Sequence, residues 1–194
     1  MKLSIIICVF NEVSTIEKLI NKILDVNLPS NFNKEFVIID NNSNDGTQEI
    51  LKKYKSKHNF KIIFNNQNYG KGYSISKGIQ ISSGDLIVFQ DADLEYDPND
   101  YLKLIEHLVK NNLDYVYGSR ILNNKEYHRY NIHKYVVVFY TALINYLYGA
   151  KFTDTATNYK MFKSKIIKDI KFYSNSFAID FEVTIKLIKK KYKY

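Results

Sequence analysis

The sequence predicts an α/β domain built on a mainly parallel sheet with helices on both faces. Three observations carry this. Short apolar runs alternate with stretches whose apolar residues recur at helical spacing, the connections between them are short, and polar residues gather just beyond the apolar runs. In sheets of this kind ligands bind beyond the carboxyl ends of the strands, so the third observation also indicates where a site lies.

Residues 3–9, LSIIICV, read as a buried strand that stops at Phe10-Asn11-Glu12. Ser14-Thr15-Ile16-Glu17 then matches a capping box opening a helix, with Ile16, Leu19, Ile20, Ile23 and Leu24 on one face. The theme repeats: 35–40, EFVIID, is a strand, 41–46 a turn-rich loop, and Asp45 with Gln48 caps the next helix. A third strand, 61–64, leads through Asn68-Tyr69-Gly70-Lys71-Gly72 to a helix ending at Ile81. Residues 86–89, LIVF, form a fourth strand, Asp97-Pro98 starts a helix to Val109, and 114–118, DYVYG, is a fifth strand. A polar segment runs to Lys134. The apolar stretch 135–148, broken by Thr141 and Asn145, is too short to span a bilayer and reads either as a core helix or as a helix partly exposed toward lipid. Residues 153–162 read as a loop and strand, and 178–190 as a helix followed by lysines and tyrosines.

The 194 residues fit one domain with a sizeable core, and 45% hydrophobic content with seven glycines and two prolines is that of a globular chain. The single cysteine, Cys8, lies in the first apolar run, which excludes a disulfide framework and reads as a core thiol in a reducing setting. The opening MKLSIIICVFNE turns polar too soon for a signal peptide. Lysine and arginine outnumber the acids 28 to 20, a net charge of +8, so an anionic partner is expected. Nucleic acid is not the expected one, because no basic stripe accompanies a recognisable binding motif.

The acids themselves are concentrated. Asp91, Asp93 and Glu95 follow the fourth strand at alternate positions. Three carboxylates so close repel one another unless solvated, protonated or neutralised by a cation, and hard oxygen ligands suit Mg2+ or Mn2+. A solvated acidic loop is the bland alternative. Against it stand Asn11-Glu12, Asp40-Asn41 and Ser119-Arg120, which the strand pattern places on the same rim. A haloacid dehalogenase phosphatase also carries D-x-D after a strand, but expects Thr or Val two places on, where Glu95 stands.

In order along the chain, N-E, VIIDNNSNDGT, NYGKGYSISKG, GDLIVFQDADLEYDP and YGSR resemble the family-2 glycosyltransferases of GT-A fold. DADLE, GSR and TDTATNYKMF resemble most the branch of dolichyl-phosphate mannosyltransferase and the polyprenyl-phosphate glycosyltransferases. The resemblance covers roughly residues 3–165. It implies a nucleotide-sugar donor across the rim, with Asn11, Glu12, Asp40 and Asn41 near base and ribose, Lys71 supplying charge between two glycines that admit close backbone approach, and Asp91 facing the nucleotide. It places the divalent metal on Asp93 and Glu95, with Asp91 adjoining, and implies inversion at the anomeric carbon.

The acceptor decides how much machinery is needed. A sugar hydroxyl needs a general base, for which Asp154 in T-D-x-x-T is the family's carboxylate. A polyprenyl phosphate is already largely anionic at neutral pH and needs positioning. Arg120 matches the arginine that binds acceptor phosphate, with Arg129, His133 and Lys134 as further cations. Alternatively Arg120 pairs with an acid of the metal loop, and Arg129 and His133 are solvated. Catalysis is thus placed on Asp93, Asp154 and Arg120.

The expected activity is hexose transfer from a nucleotide diphosphate sugar, UDP-glucose favoured over GDP-mannose, to a lipid-linked phosphate. The alternatives are transfer to a sugar hydroxyl and a non-catalytic nucleotide-sugar binder. The expected location is cytoplasmic, peripheral on the cytosolic face of a membrane, from the 135–148 segment and Lys189, Lys190, Lys191 and Lys193. Two departures are noted: Asn41 stands where the family has a second Asp, and the resembled enzymes continue past the last lysine-rich helix, so a C-terminally truncated catalytic domain is expected.

Overall fold

The computed structural model describes residues 1–122 and 131–194, with side chains of the second segment from Tyr135 onward. Among them the chain runs β1 (Lys2–Val9), α1 (Ile16–Asp25), β2 (Asn33–Asp40), α2 (Thr47–Lys52), β3 (Phe60–Phe64), α3 (Lys71–Ile81), β4 (Leu86–Asp91), α4 (Tyr101–Lys110), β5 (Tyr115–Tyr117), α5 (Asn131–Tyr148), β6 (Lys160–Lys163), α6 (Ser164–Lys168) and α7 (Ile179–Lys189). The strands form one sheet ordered β3-β2-β1-β4-β6-β5. β1 pairs in parallel with β2 and β4, and β2 with β3. β6 is antiparallel to both neighbours, Val88 facing Met161 and Val116 facing Met161 from the other side.

Alternation along β1 divides the core. Leu3, Ile5, Ile7 and Val9 join Ile16, Leu19, Leu51, Tyr101 and Leu104 on one face, which α1, α2 and α4 cover. Ile6 points the other way, into Ile75, Ile79, Ile167, Ile179, Val183 and Leu187 of α3, α6 and α7. The expected α/β architecture with helices on both faces is the one observed.

The helix starts differ in detail from the sequence reading. Ser14 and Glu17 do not close a box: α1 begins after Thr15 without a side-chain cap, and Thr15 Oγ1 donates to Glu12 Oε2 instead. α2 has Gly46 at its N-cap and no side-chain cap; Asp45, one residue earlier, accepts from Thr47 N at 3.0 Å, and Gln48 turns away and donates to Asp40 Oδ2 at 2.8 Å. Asp97 accepts from Asn99 N and opens a 3-10 turn over Pro98–Asp100 that leads into α4.

Of the two readings open for α5, core helix and partly exposed helix, the structure shows the second, because most of its apolar residues stay exposed. Tyr135, Phe139, Tyr146 and Leu147 are 73%, 64%, 86% and 61% exposed. The buried positions include Thr141 and Ile144. Thr141 Oγ1 accepts from Thr155 N at 3.1 Å, while Asn145 exchanges hydrogen bonds with the backbone of Phe152 at 2.8 and 2.9 Å. The two polar residues that interrupt the apolar stretch are therefore its docking face. Among the described residues no helix is long and apolar enough to cross a membrane.

Candidate functional site

The reversed direction of β6 shapes the site. β5 runs parallel to β4 across it, so Ser119-Arg120 leaves at the carboxyl rim, and the segment preceding β6, residues 154–158, enters at that same rim. Together with the ends of β1, β2 and β4 they enclose a cleft of about 600 Å³. Glu12, Asn41, Lys71, Asp91, Asp93, Glu95 and Arg120 all line it. Asn11, Asp40 and Asp154 do not line it: Asp40 and Asp154 are buried and Asn11 is exposed. Arg129 lies outside the described residues, as does the side chain of His133.

At the β1 and β2 end, Asn11 adopts a left-handed φ of 57°. This turns the chain so that its side chain accepts from Asn44 N at 2.9 Å and its backbone N–H donates to Ser43 Oγ at 2.9 Å. Asp40 is fully buried, accepting from Ser43 N at 3.1 Å and from Gln48. Asn41 Oδ1 accepts from Asn65 Nδ2 and Tyr69 N, and its amide donates to Asn68 Oδ1 at 2.6 Å. An Asp here would lack that donor and repel Asn68 Oδ1, so the departure at Asn41 has a local reason.

The three acids after β4 separate. Asp91 Oδ1 accepts from Asn158 Nδ2 at 2.7 Å and lies 3.1 Å from Lys71 Nζ. Burial pulls the Lys71 pKa down, but Asp91 and Asp180 outweigh it and hold the ammonium charged. Asp93 is exposed in the cleft and accepts from Glu95 N at 3.0 Å. Glu95 Oε1 lies 3.4 Å from Arg120 Nη1; burial raises its pKa against the pull of that arginine. Among the described residues no three acidic, histidine or cysteine side chains converge on a cation. Cys8 packs against the core, as expected, and also lines the cleft, with its thiol pushed up to about 12 by burial.

Arg120 is held from behind. Its Nε donates to Asp154 Oδ2 at 2.8 Å and its Nη2 to Asp154 Oδ1 at 3.2 Å, a two-pronged pair on a carboxylate that is 1% exposed. Ala156 N also donates to Asp154, at 3.1 Å. Asp154 has both oxygens engaged and sits beneath the arginine.

The family model for glycosyl transferase family 2 matches residues 4–171. The chain belongs to this family. Among family-2 relatives, it is 28% identical over 189 residues to the dolichol-phosphate mannosyltransferase of Pyrococcus furiosus, covering 96% of this chain and 53% of that protein. It is 27% identical over 192 residues to the poly-beta-1,6-N-acetyl-D-glucosamine synthase of Staphylococcus epidermidis, covering 95% and 45%. The chain thus spans about half the length of these two relatives. Its fold superposes with a TM-score of 0.73 at 16% identity on glucosyl-3-phosphoglycerate synthase from Mycobacterium tuberculosis, crystallised with Mn2+, UDP and phosphoglyceric acid, over 97% of this chain and 64% of that one. The fold is GT-A, as the sequence resemblance implied.

The cleft also holds residues that the sequence does not mark as site residues. Asn158, Phe177, Asp180 and Phe181 line the cleft, and Lys160 lies fully buried beneath it. A lysine inside the apolar strand of KMFK was a readable signal, since buried lysines demand a partner. Asp180 carried none, because an acid in a first helical turn is ordinary. The glycines have an unexpected neighbour too. A Cβ on Gly70 would stand 2.1 Å from Asn175 O and one on Gly72 2.0 Å from Ser174 O, so in this structure the chain they admit is the 174–176 segment.

Proposed function

We propose that this protein is an inverting glycosyltransferase that moves a hexose from a nucleotide diphosphate sugar to a polyprenyl phosphate. The observation that carries the reading is Arg120: a guanidinium at the wall of the donor cleft, fixed two-pronged by the buried Asp154 and with its Nη1 3.4 Å from Glu95, is a positioned cation that an acceptor phosphate would engage in place of Glu95. Attack by an anionic phosphate oxygen on the anomeric carbon forms the new C–O bond as the bond to the nucleoside diphosphate breaks. No proton has to be removed first, and Arg120 orients the acceptor. Asp154, occupied behind Arg120, acts as its anchor; a hydroxyl acceptor would require it as a base. Similarity to a dolichol-phosphate mannosyltransferase supports the same acceptor class.

Glu12 and Asn41 bind the nucleoside end, with Asn11 and Asp40 shaping their loops, and Lys71 and Asp91 lie toward the diphosphate. UDP-glucose is the favoured donor, in keeping with a fold relative crystallised with UDP. Divalent Mg2+ or Mn2+ is normally held by one or two carboxylates together with substrate phosphates, and exposed Asp93 beside Glu95 and Asp91 fits that role without a protein cage. When bound, the cation neutralises the leaving diphosphate.

The exposed apolar face of α5, adjoining the lysines at the end of α7, with Lys189 Nζ 5.9 Å from the Tyr148 ring centre, serves as a peripheral contact with an anionic membrane surface. Flotation with liposomes tests it: binding to anionic vesicles is expected, and absence of binding to any vesicle removes the contact. The activity is tested with purified protein, UDP- and GDP-hexoses and Mn2+ against a short polyprenyl phosphate and simple sugars. Transfer to the phosphate, abolished by Asp93→Asn, is expected. Transfer to sugars alone overturns the acceptor assignment.

A further inference from the structure

A chain of four buried or half-buried charges runs from the cleft into the domain. Lys160, on β6, is fully buried, and its ammonium donates to Thr157 O and to Asp180 Oδ1, the latter at 3.1 Å. Asp180 Oδ2 lies 3.8 Å from Lys71 Nζ, which in turn lies 3.1 Å from Asp91. The Phe177 ring centre is 5.3 Å from the same ammonium. Two cations and two carboxylates alternate, so each charge is compensated on the way in. Lys71, which opens α3, is thus held between Asp91 of β4 and two side chains from the C-terminal part of the chain, Asp180 and Phe177.

Resting on the donor reading, we propose that Asp180 is a positioning residue for the nucleotide diphosphate: with Lys160 behind it, it holds the Lys71 ammonium beside Asp91 in the donor cleft. The backbone is arranged to deliver it there. Gly72 N donates to Asn175 O at 3.0 Å, so the segment ahead of α7 covers the start of α3. Glu182 accepts from Tyr173 N at 3.0 Å and Ser174 N at 2.9 Å and pairs with Lys186 at 2.5 Å, which ties that segment to α7. Without the Asp180 charge, Lys71 keeps Asp91 as its one carboxylate contact among the described residues and loses the second contact that fixes its ammonium in the cleft.

The test separates position from folding. Asp180→Asn alone leaves the Lys160 cation unpaired and is expected to unfold, so the working variant is Asp180→Asn/Lys160→Met, which removes both charges and whose melting curve reports the fold. Titration with UDP and Mn2+, with GDP alongside, is expected to show binding weakened about tenfold, with uridine binding unchanged. Asp180→Glu is expected to bind UDP within about threefold of wild type. In a Lys71→Met background, adding Asp180→Asn/Lys160→Met is expected to change UDP binding by less than about twofold, because the two act through one contact. A folded Asp180→Asn/Lys160→Met protein with wild-type UDP affinity, or an effect that adds fully to Lys71→Met, overturns the proposal and leaves the donor reading standing. A wild-type protein that binds neither UDP nor GDP overturns the donor reading, and this inference with it.

Discussion

Replacing Asp154 with Asn distinguishes an anchor for Arg120 from a general base. The buried carboxylate accepts from Arg120 Nε at 2.8 Å, Nη2 at 3.2 Å and N at 3.3 Å, and from Ala156 N at 3.1 Å. Asn keeps one acceptor, loses the charge and presents an amide N–H₂ to the guanidinium. A charge-assisted hydrogen bond contributes roughly 1.5 to 3 kcal/mol. The Arg120 side chain is 21% exposed and regains some hydration, which puts the net loss at about 2 kcal/mol, close to a 30-fold change. The assay is initial rate against polyprenyl phosphate at saturating donor. An anchor role raises the acceptor KM by about that factor and moves kcat less; Arg120→Lys, which cannot make the forked pair, does the same, and the double variant is not fully additive. A fall in kcat of about a hundredfold or more at unchanged acceptor KM would mark Asp154 as the base and refute the reasoning.

At the opposite end of the sheet, Glu35 accepts from Ser4, Ser83 and Lys61. Burial pushes its pKa up, but these partners outweigh it and hold it at about 2 against an ordinary 4.5. The folded value lies below the unfolded one, so this stabilisation is present above about pH 4.5 and is lost as pH falls toward 2. Glu35→Gln is expected to cost roughly 2 to 3 kcal/mol at pH 7 and to flatten the acid limb of urea-melt stability against pH. Gly70→Ala, at φ 90° and against Asn175 O, is expected to destabilise by more than about 1 kcal/mol and to open the 173–178 segment to proteolysis. On α5, Phe139→Ser with Leu147→Ser is expected to leave the melting free energy within about 0.5 kcal/mol while reducing liposome binding. Ile144→Ala on the same helix, 5% exposed, is expected to cost about 2 to 4 kcal/mol in the same melts.

Where strands and amphipathic helices alternate, hydrophobic period alone decided the element, and β1 to β4 with their helices were legible within a few residues. α5 was not. A run of tyrosine, valine and phenylalanine fits a core helix and an exposed one equally while a residue's neighbours are unknown, and only the packed structure shows that Thr141 and Asn145 make the inward bonds. α6 was too short to leave a periodic signal.

By itself the sequence determined the parallel sheet, the rim on which Asn11, Glu12, Asp40, Asn41, Asp91, Asp93 and Arg120 gather, and the family, because strand ends and motif order are local properties of the chain. Tertiary structure decided who partners whom. It set Asp91 against Lys71, Arg120 against Asp154, and the 174–176 backbone against Gly70 and Gly72. It also brought Lys160 and Asp180 beneath the cleft, where a charge is stable only beside its opposite. Such pairings join residues far apart in the chain, and Coulombic and hydrogen-bond partners depend on distance in space, which composition and spacing do not encode.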